Sequence, residues 1–482
     1  MTVGSRPGAG STGLAPGRNG RYLRRLPTMR KQPTARPLTG WLTAMMVLVI
    51  ATGMAYTLWW PAVVRHHPAY WVEPGDIWGT VRAAHWIAWG GFSFIYSSGT
   101  GLVTLPGFHL FLTPFVMLSS ALHLSETAPG FLPQPKPTAW LLIGPVTLAC
   151  SAAPLFAFDA LAGELRISVG RRRLLSLLEA AAVWPALALW GHPEDVVALG
   201  LAVLCLVHMQ RGHWRAVGWL LGAAIAMQLY VIALVPLFCF TAGLRRSPGL
   251  LARAAVLPGF LFLVVVIPNP HASLHALLDQ PNYPRIDYPT PWVLLAPKIG
   301  RGVVAAGPGR IIGLLVATAC GALASRHRHS LGWLTWLMAA ALATRCCFES
   351  VMDPYYWGPV IAVMLCAAAT VPLYRWMSAA AALAGLTYLS YERTGIWPYW
   401  LQTSALVIFA LLVALPLRRR REPHAASVAE PTSIRMPSTV PALTSSSGPS
   451  HFGTSAFIAP SPFAALGCPT RDRPAAWSRL WT

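Results

Sequence analysis

Apolar runs long enough to cross a bilayer recur along this chain, and that recurrence limits the possible folds more than any single motif. The runs at 42–64, 138–158, 250–267 and 303–323 each approach or exceed the ~18–20 residues that span a hydrocarbon core. With 55% of the 482 residues hydrophobic and 11% charged, the expected fold is all-α. The chain should be a polytopic membrane protein of about 10–12 transmembrane helices rather than a soluble domain.

The net charge of +21 follows the same logic. Arginine clusters at both termini and in short loops between apolar runs, as the positive-inside rule requires. Residues 1–37 are therefore expected to be a disordered basic cytoplasmic arm, 38–417 the membrane domain, and 418–482 a disordered cytoplasmic tail. The basic balance then reflects topology and contact with anionic membrane lipid, and nucleic acid is not an expected partner. Eight cysteines show no C-x-x-C or zinc spacing, and most lie inside apolar runs, so neither a metal nor another cofactor is expected. No secretory leader is visible, since the first apolar run follows about forty polar residues and is too long for an h-region.

The first run is followed by Glu73-Pro74-Gly75-Asp76 and then by the Trp-rich, basic segment 77–89. That segment is expected to be an interfacial helix in the first outside loop. Three apolar runs, at 42–64, 102–124 and 138–158, separate the arm from Arg171-Arg172-Arg173, although two inside segments need an even number of crossings. Either 102–124, broken by Pro106 and Pro114, is re-entrant, or the Trp-rich segment crosses. The prolines favour re-entry. Basic residues on both sides of 216–240 (Arg211 and Arg215, then Arg245 and Arg246) predict a second re-entrant or broken helix, with Gln228 near its apex. After a polar insertion at 268–300, spans near 303–323, 331–346, 357–373, 377–391 and 399–416 alternate cleanly.

Thirteen acids precede the tail, and on this topology nine face outside, among them Glu73, Asp76, Glu194, Asp195, Asp287, Glu349 and Asp353. Four outer loops each bring a carboxylate beside His, Arg, Tyr or Trp, which points to one shared polar cavity. Each also fits a plainer role. His192-Pro193-Glu194-Asp195 is an ordinary helix start, and Asp76 and Asp353 are ordinary caps. His271, His275 and Asp279 share a helical face, but flanking prolines speak against a long helix and a metal site there. Glu179, six residues past Arg173, is expected to snorkel toward the interface.

Together, the acid after the first span, the interfacial segment ending at Ile95-Tyr96 and the interrupted stretch Thr104-Leu105-Pro106-Gly107 resemble the opening of GT-C glycosyltransferases. The run Trp190-Gly191-His192-Pro193-Glu194-Asp195, with 218–226 after it, is similar to actinobacterial polyprenol-phosphate-mannose-dependent alpha-mannosyltransferases (glycosyltransferase family 87-like). The likeness covers about residues 40–417. It implies an inverting transfer of a hexosyl group, such as mannosyl, from a polyprenyl-phosphate sugar to a cell-envelope glycan or lipid acceptor, on the outer face of the plasma membrane. Asp76 would be the general base, with Glu73 as the second choice. Arg285 and Arg345 would meet the departing phosphate. His192, Glu194, Asp195, Asp287, Glu349 and Asp353 would line the substrate pocket. Many such relatives carry a Lys near the position of Gln228, and this chain does not. The rival class is a multi-span transporter or lipid flippase.

Overall fold

A computed structural model describes residues 37–65, 74, 76–96, 102–125, 138–285, 287–392 and 394–416, with side chains described only to Trp59 within the first helix. Glu73, the basic arm and the tail lie outside the described residues. The fold is an all-α polytopic membrane bundle. Among the described residues, eight helical segments are long and apolar enough to cross a membrane, with four shorter apolar segments between them.

The first helix, α1 (Thr39–Arg65), carries no charge before its last residue. Then come α2 (Ile77–Ala88) and α3 (Gly107–Ala121). The second long segment is α4 (Trp140–Ala152) running on into α5 (Pro154–Glu164). The third is α6 (Val169–Pro185), extended by a π turn at Ala186–Trp190. Next are α7 (Pro193–Gln210), α8 (Trp214–Met227), α9 (Val235–Ala242), α10 (Ser247–Val266) and the short α11 (Pro270–Leu274). A small antiparallel pair, β1 (Lys298–Gly300) and β2 (Val303–Val304), sits in the polar insertion. The bundle closes with α12 (Gly309–Arg326), α13 (Leu331–Phe348), α14 (Trp357–Ala368), α15 (Leu373–Ser390) and α16 (Ile396–Ala414). All of α14 is buried, so it is the central strut, while α10 and α16 keep wide apolar faces for lipid.

Lipid is as apolar as leucine, so helices associate here through close packing at small residues rather than through water exclusion. Gly222 lies against the Ala254 carbonyl, Gly200 against Pro154, and Gly107 directly against the Ala226 carbonyl. A Cβ at any of these would force the helices apart.

Side-chain contacts settle which helix ends lie together. Leu38 N–H donates to Asp159 Oδ2 at 3.2 Å, and Trp41 Nε1 donates to Ser176 Oγ at 2.8 Å. The start of α1 therefore meets the end of α5 and the start of α6. Arg211 pairs with Glu164 at 2.7 Å, and Arg171 donates to the carbonyl of Val371 at 3.0 Å. These define an Arg-rich end. At the opposite end Trp140 Nε1 donates to Thr57 Oγ1 at 3.0 Å, and reciprocal bonds between Ser125 and Thr138 tie α3 to α4. The parity problem of the first three runs is thereby resolved. Thr104, just before α3, donates to the Met227 carbonyl, Gly107 in its first turn lies against Ala226, the segment after its last turn is tied to α4, and α3 does not run to the Arg-rich end.

The second broken helix turns at Gln228, whose backbone is extended (φ −154°, ψ 129°). Arg246, beyond α9, lies 5.6 Å from the ring of Trp214 at the start of α8. The segment thus begins and ends at the Arg-rich end, with its turn at the other. Two expectations fail. Arg172, expected in an inside segment between spans, instead lies in α6, where it forms a buried pair with Asp159 of α5, because α6 begins before its apolar stretch. Glu179 does not snorkel: it is 1% exposed.

Candidate functional site

The end opposite the arginines collects the polar side chains. The π turn at Ala186–Trp190 stops at Gly191, which takes φ 81° and ψ 38°. A Cβ there would meet the backbone nitrogen of Ile77 at 2.8 Å, so only glycine lets α2 start this close to the α6–α7 corner. Asp76 N–H donates to the Trp190 carbonyl at 2.9 Å, which fixes the first residue before α2.

Asp76 occupies the cap position of α2 but makes no capping bond with its side chain. Its Oδ2 instead lies 3.0 Å from His192 Nε2, and His192 Nδ1 lies 2.9 Å from Glu194 Oε1. Glu194 and Asp195 fill the first turn of α7, where acids complement the helix dipole. The plainer role of a helix start is real and coexists with the relay. The His192 ring stacks on Tyr355 with centroids 4.0 Å apart and a 17° interplanar angle, and Tyr355 leans on Trp190 at 5.4 Å. Burial works against an imidazolium at His192. The hydrogen bonds and charges of Asp76 and Glu194 outweigh it and hold the ring proton well above the ordinary histidine range. Exposure then divides the three groups: the Asp76 side chain is 45% exposed, against 17% for His192 and 5% for Glu194.

Asp195 turns the other way. Gln228 Nε2 donates to its Oδ1 at 2.5 Å, and Tyr230 Oη donates to its backbone carbonyl at 2.8 Å. The helix break thus delivers a donor to a buried carboxylate. Arg345, in the last turn of α13, lies between the rings of Tyr356 (4.7 Å) and Tyr230 (5.5 Å). Its nearest approach to Glu349 is 3.9 Å, beyond a hydrogen bond. Glu349 is committed elsewhere: Arg310 holds it with two bonds, at 2.7 and 3.2 Å, and also donates to Gln280.

Asp353 is buried in the loop before α14, and its Oδ1 has no hydrogen-bond partner among the described residues. Burial, reinforced by the charges of Asp287 and Asp76, pushes this carboxyl well above the usual range, although His192 opposes the shift. Asp287 accepts from Tyr283 N–H at 3.1 Å within the insertion. The insertion is pinned to the same loop by Met352 N–H on the Tyr288 carbonyl (2.8 Å) and Thr290 N–H on the Ser350 carbonyl (3.0 Å). Arg285 is exposed on a turn of that insertion and forms no ion pair among the described residues. Glu73 lies outside the described residues.

Local sequence patterns gave no sign of several participants. His109, at the start of α3, is fully buried with neither ring nitrogen hydrogen-bonded, and the charge of Glu194 acts on it. Arg310, Tyr230 and Tyr355 were also unremarkable as single residues. Among the described residues no group of three His, Cys, Asp or Glu side chains is placed to hold a metal ion. His275 pairs with Asp279 at 2.7 Å on the exposed surface, and His271 takes no part. No family model, curated protein or solved structure matches this chain.

Proposed function

We propose that the protein is a GT-C-type integral membrane glycosyltransferase of the plasma membrane, with both termini cytoplasmic. It moves a hexosyl group, mannosyl in the first instance, from a polyprenyl-phosphate sugar to a cell-envelope glycan or lipid acceptor. The carrying observation is Asp76: a first-loop carboxylate bound through one oxygen to His192, with almost half of its side chain open.

In this reading the acceptor hydroxyl gives its proton to Asp76 while its oxygen bonds to the anomeric carbon. The bond from that carbon to the phosphate oxygen breaks, and the electron pair leaves with the phosphate. The imidazolium of His192, held between Asp76 and Glu194, orients the Asp76 carboxylate toward the acceptor. Arg345 suits the phosphate, because two tyrosines hold its guanidinium while Glu349 is occupied by Arg310.

Membranes carrying the protein and a synthetic polyprenyl-phosphomannose provide the test. Transfer should occur with the wild type and fall roughly 10²–10⁴-fold in Asp76→Asn, the usual contribution of a general base. Transfer surviving that substitution would move the base elsewhere. Failure across a panel of lipid-linked sugars would overturn the transferase reading. The second reading, a multi-span transporter or flippase, is favoured by one observation: Glu179 is an ionisable group buried within a span.

A further inference from the structure

Glu179 is the eleventh residue of the 22-residue segment Val169–Trp190, so it sits at the middle of a crossing helix. It is 1% exposed, and its Oε1 has no hydrogen-bond partner among the described residues. On the same face of that helix the buried cation is Arg172, two turns toward the Arg-rich end, while Arg173 beside it is exposed. The Arg172 guanidinium is already held by Asp159 through two bonds, Nε to Oδ1 at 2.8 Å and Nη2 to Oδ2 at 2.6 Å.

Among the described residues Glu179 forms no ion pair, and the only charge acting on it is that of an acid. On α14 the charge of Glu179 acts on Cys366, and the rest of that helix is apolar apart from its glycine. From α5 the charge of Asp159 reaches it, and that charge has the same sign as its own carboxylate. From α1, Trp41 donates to Ser176 and Thr52 accepts from Trp184, on either side of Glu179 along its helix. An ionised carboxylate in the middle of a bilayer with no cation is costly, and such residues mark proton or ion pathways. One and two turns above Glu179, Ala182 and Ala186 line a narrow cleft with Gly358, Thr387, Ser390 and Tyr355. Tyr355 is the ring stacked on His192. Glu179 therefore stands on its helix between the buried pair on one side and residues that share a cleft with Tyr355 on the other.

We propose that Glu179 is a proton-binding site in the middle of the bundle, flanked by the Asp159–Arg172 pair. It is separate from the transfer chemistry above and does not rest on it. The carboxyl holds the proton itself, whereas its neighbour Asp159 is engaged by Arg172.

The full chain, purified and reconstituted in lipid nanodiscs, can be treated with dicyclohexylcarbodiimide and mapped by peptide mass spectrometry. This lipid-soluble probe adds to a protonated carboxyl. The proton moves to a carbodiimide nitrogen, the carboxyl oxygen bonds to the central carbon, and an acyl shift gives a stable N-acylurea with nothing lost. The expected result is an adduct on Glu179 and none on Asp159. Infrared spectra should also contain a carboxylic-acid carbonyl band that Glu179→Gln removes and Glu179→Asp retains. A wild-type protein with Glu179 unlabelled, or with no band that Glu179→Gln abolishes, would overturn the proposal. Should Glu179→Gln fail to fold, the wild-type adduct and the Glu179→Asp spectrum still decide.

Discussion

Replacing Gly191 with alanine would test whether the α6–α7 corner is what holds Asp76 against His192. Two costs add at this position. A non-glycine residue at φ 81° loses about 1–2 kcal/mol to the left-handed backbone. The new Cβ would also stand 2.8 Å from Ile77 N and 3.0 Å from Pro74 Cβ, and relieving such overlap typically costs about 1–3 kcal/mol. Gly212 supplies the control, with nearly the same φ of 78° and nothing within 4 Å of the point where a Cβ would stand. Gly212→Ala should therefore lose only the backbone part, about 1–2 kcal/mol. Denaturant unfolding of the purified protein, followed by tryptophan fluorescence, gives the difference between the two variants directly. It should come to about 1–3 kcal/mol, the overlap alone. Sugar transfer, where measurable, should drop in Gly191→Ala and not in Gly212→Ala. Equal stability losses in the two variants would refute the argument that α2 is pressed against this corner.

The buried pair at the Arg-rich end makes a different kind of prediction. Arg172→Met should cost about 3–5 kcal/mol by stranding Asp159, and adding Asp159→Leu should restore most of it in the same unfolding assay. Stability should also fall as pH rises, for two reasons that share a sign. His192 has its proton held above the ordinary value, so its contribution is complete below about pH 6.5 and is lost as pH climbs through the folded value. Asp353 in the folded state keeps a proton that the unfolded chain releases near pH 4, so it too removes stability as pH rises toward its folded value. Unfolding midpoints against pH should flatten at the upper end in His192→Gln and at the lower end in Asp353→Asn.

Hydropathy and charge made the bundle readable because both follow directly from the bilayer. Length of apolar run decides crossing, and arginine decides sides. Even the break at Gln228 showed in the sequence, since basic residues on both sides of one run demand a turn. What hydropathy could not reveal is where a helix continues past its apolar stretch. Asp159 and Arg172 look like loop charges to a sliding window, yet each lies on a helix and neutralises the other across it. The site divides the same way. That most acids gather in loops on one side was legible, and the structure brings Asp76, His192 and Glu194 into contact. Which cation faces which carboxylate was not visible, because Arg310 takes Glu349 from a separate helix and leaves Arg345 to the tyrosines. His109 carried no signal at all, being one histidine in an apolar stretch.

Two carboxyl groups in this bundle show how much surroundings decide chemistry. Asp76 is open to solvent on one side and has an imidazolium on the other. Glu179 has neither, with Arg172 already engaged and a third acid nearby. Amide substitutions should therefore act in opposite ways. Asn at position 76 removes a charge that His192 and its neighbours are arranged around, leaving the imidazolium with Glu194 alone. Gln at position 179 has nearly the shape and the charge of a protonated carboxyl, so the bundle loses a proton site and little of its packing. A transferase acting only through the outer cluster would feel the first change and tolerate the second. A transporter that moves protons through the bundle would fail with the second. The pair of amide variants thus separates the two functional readings without requiring the sugar or the acceptor to be identified beforehand.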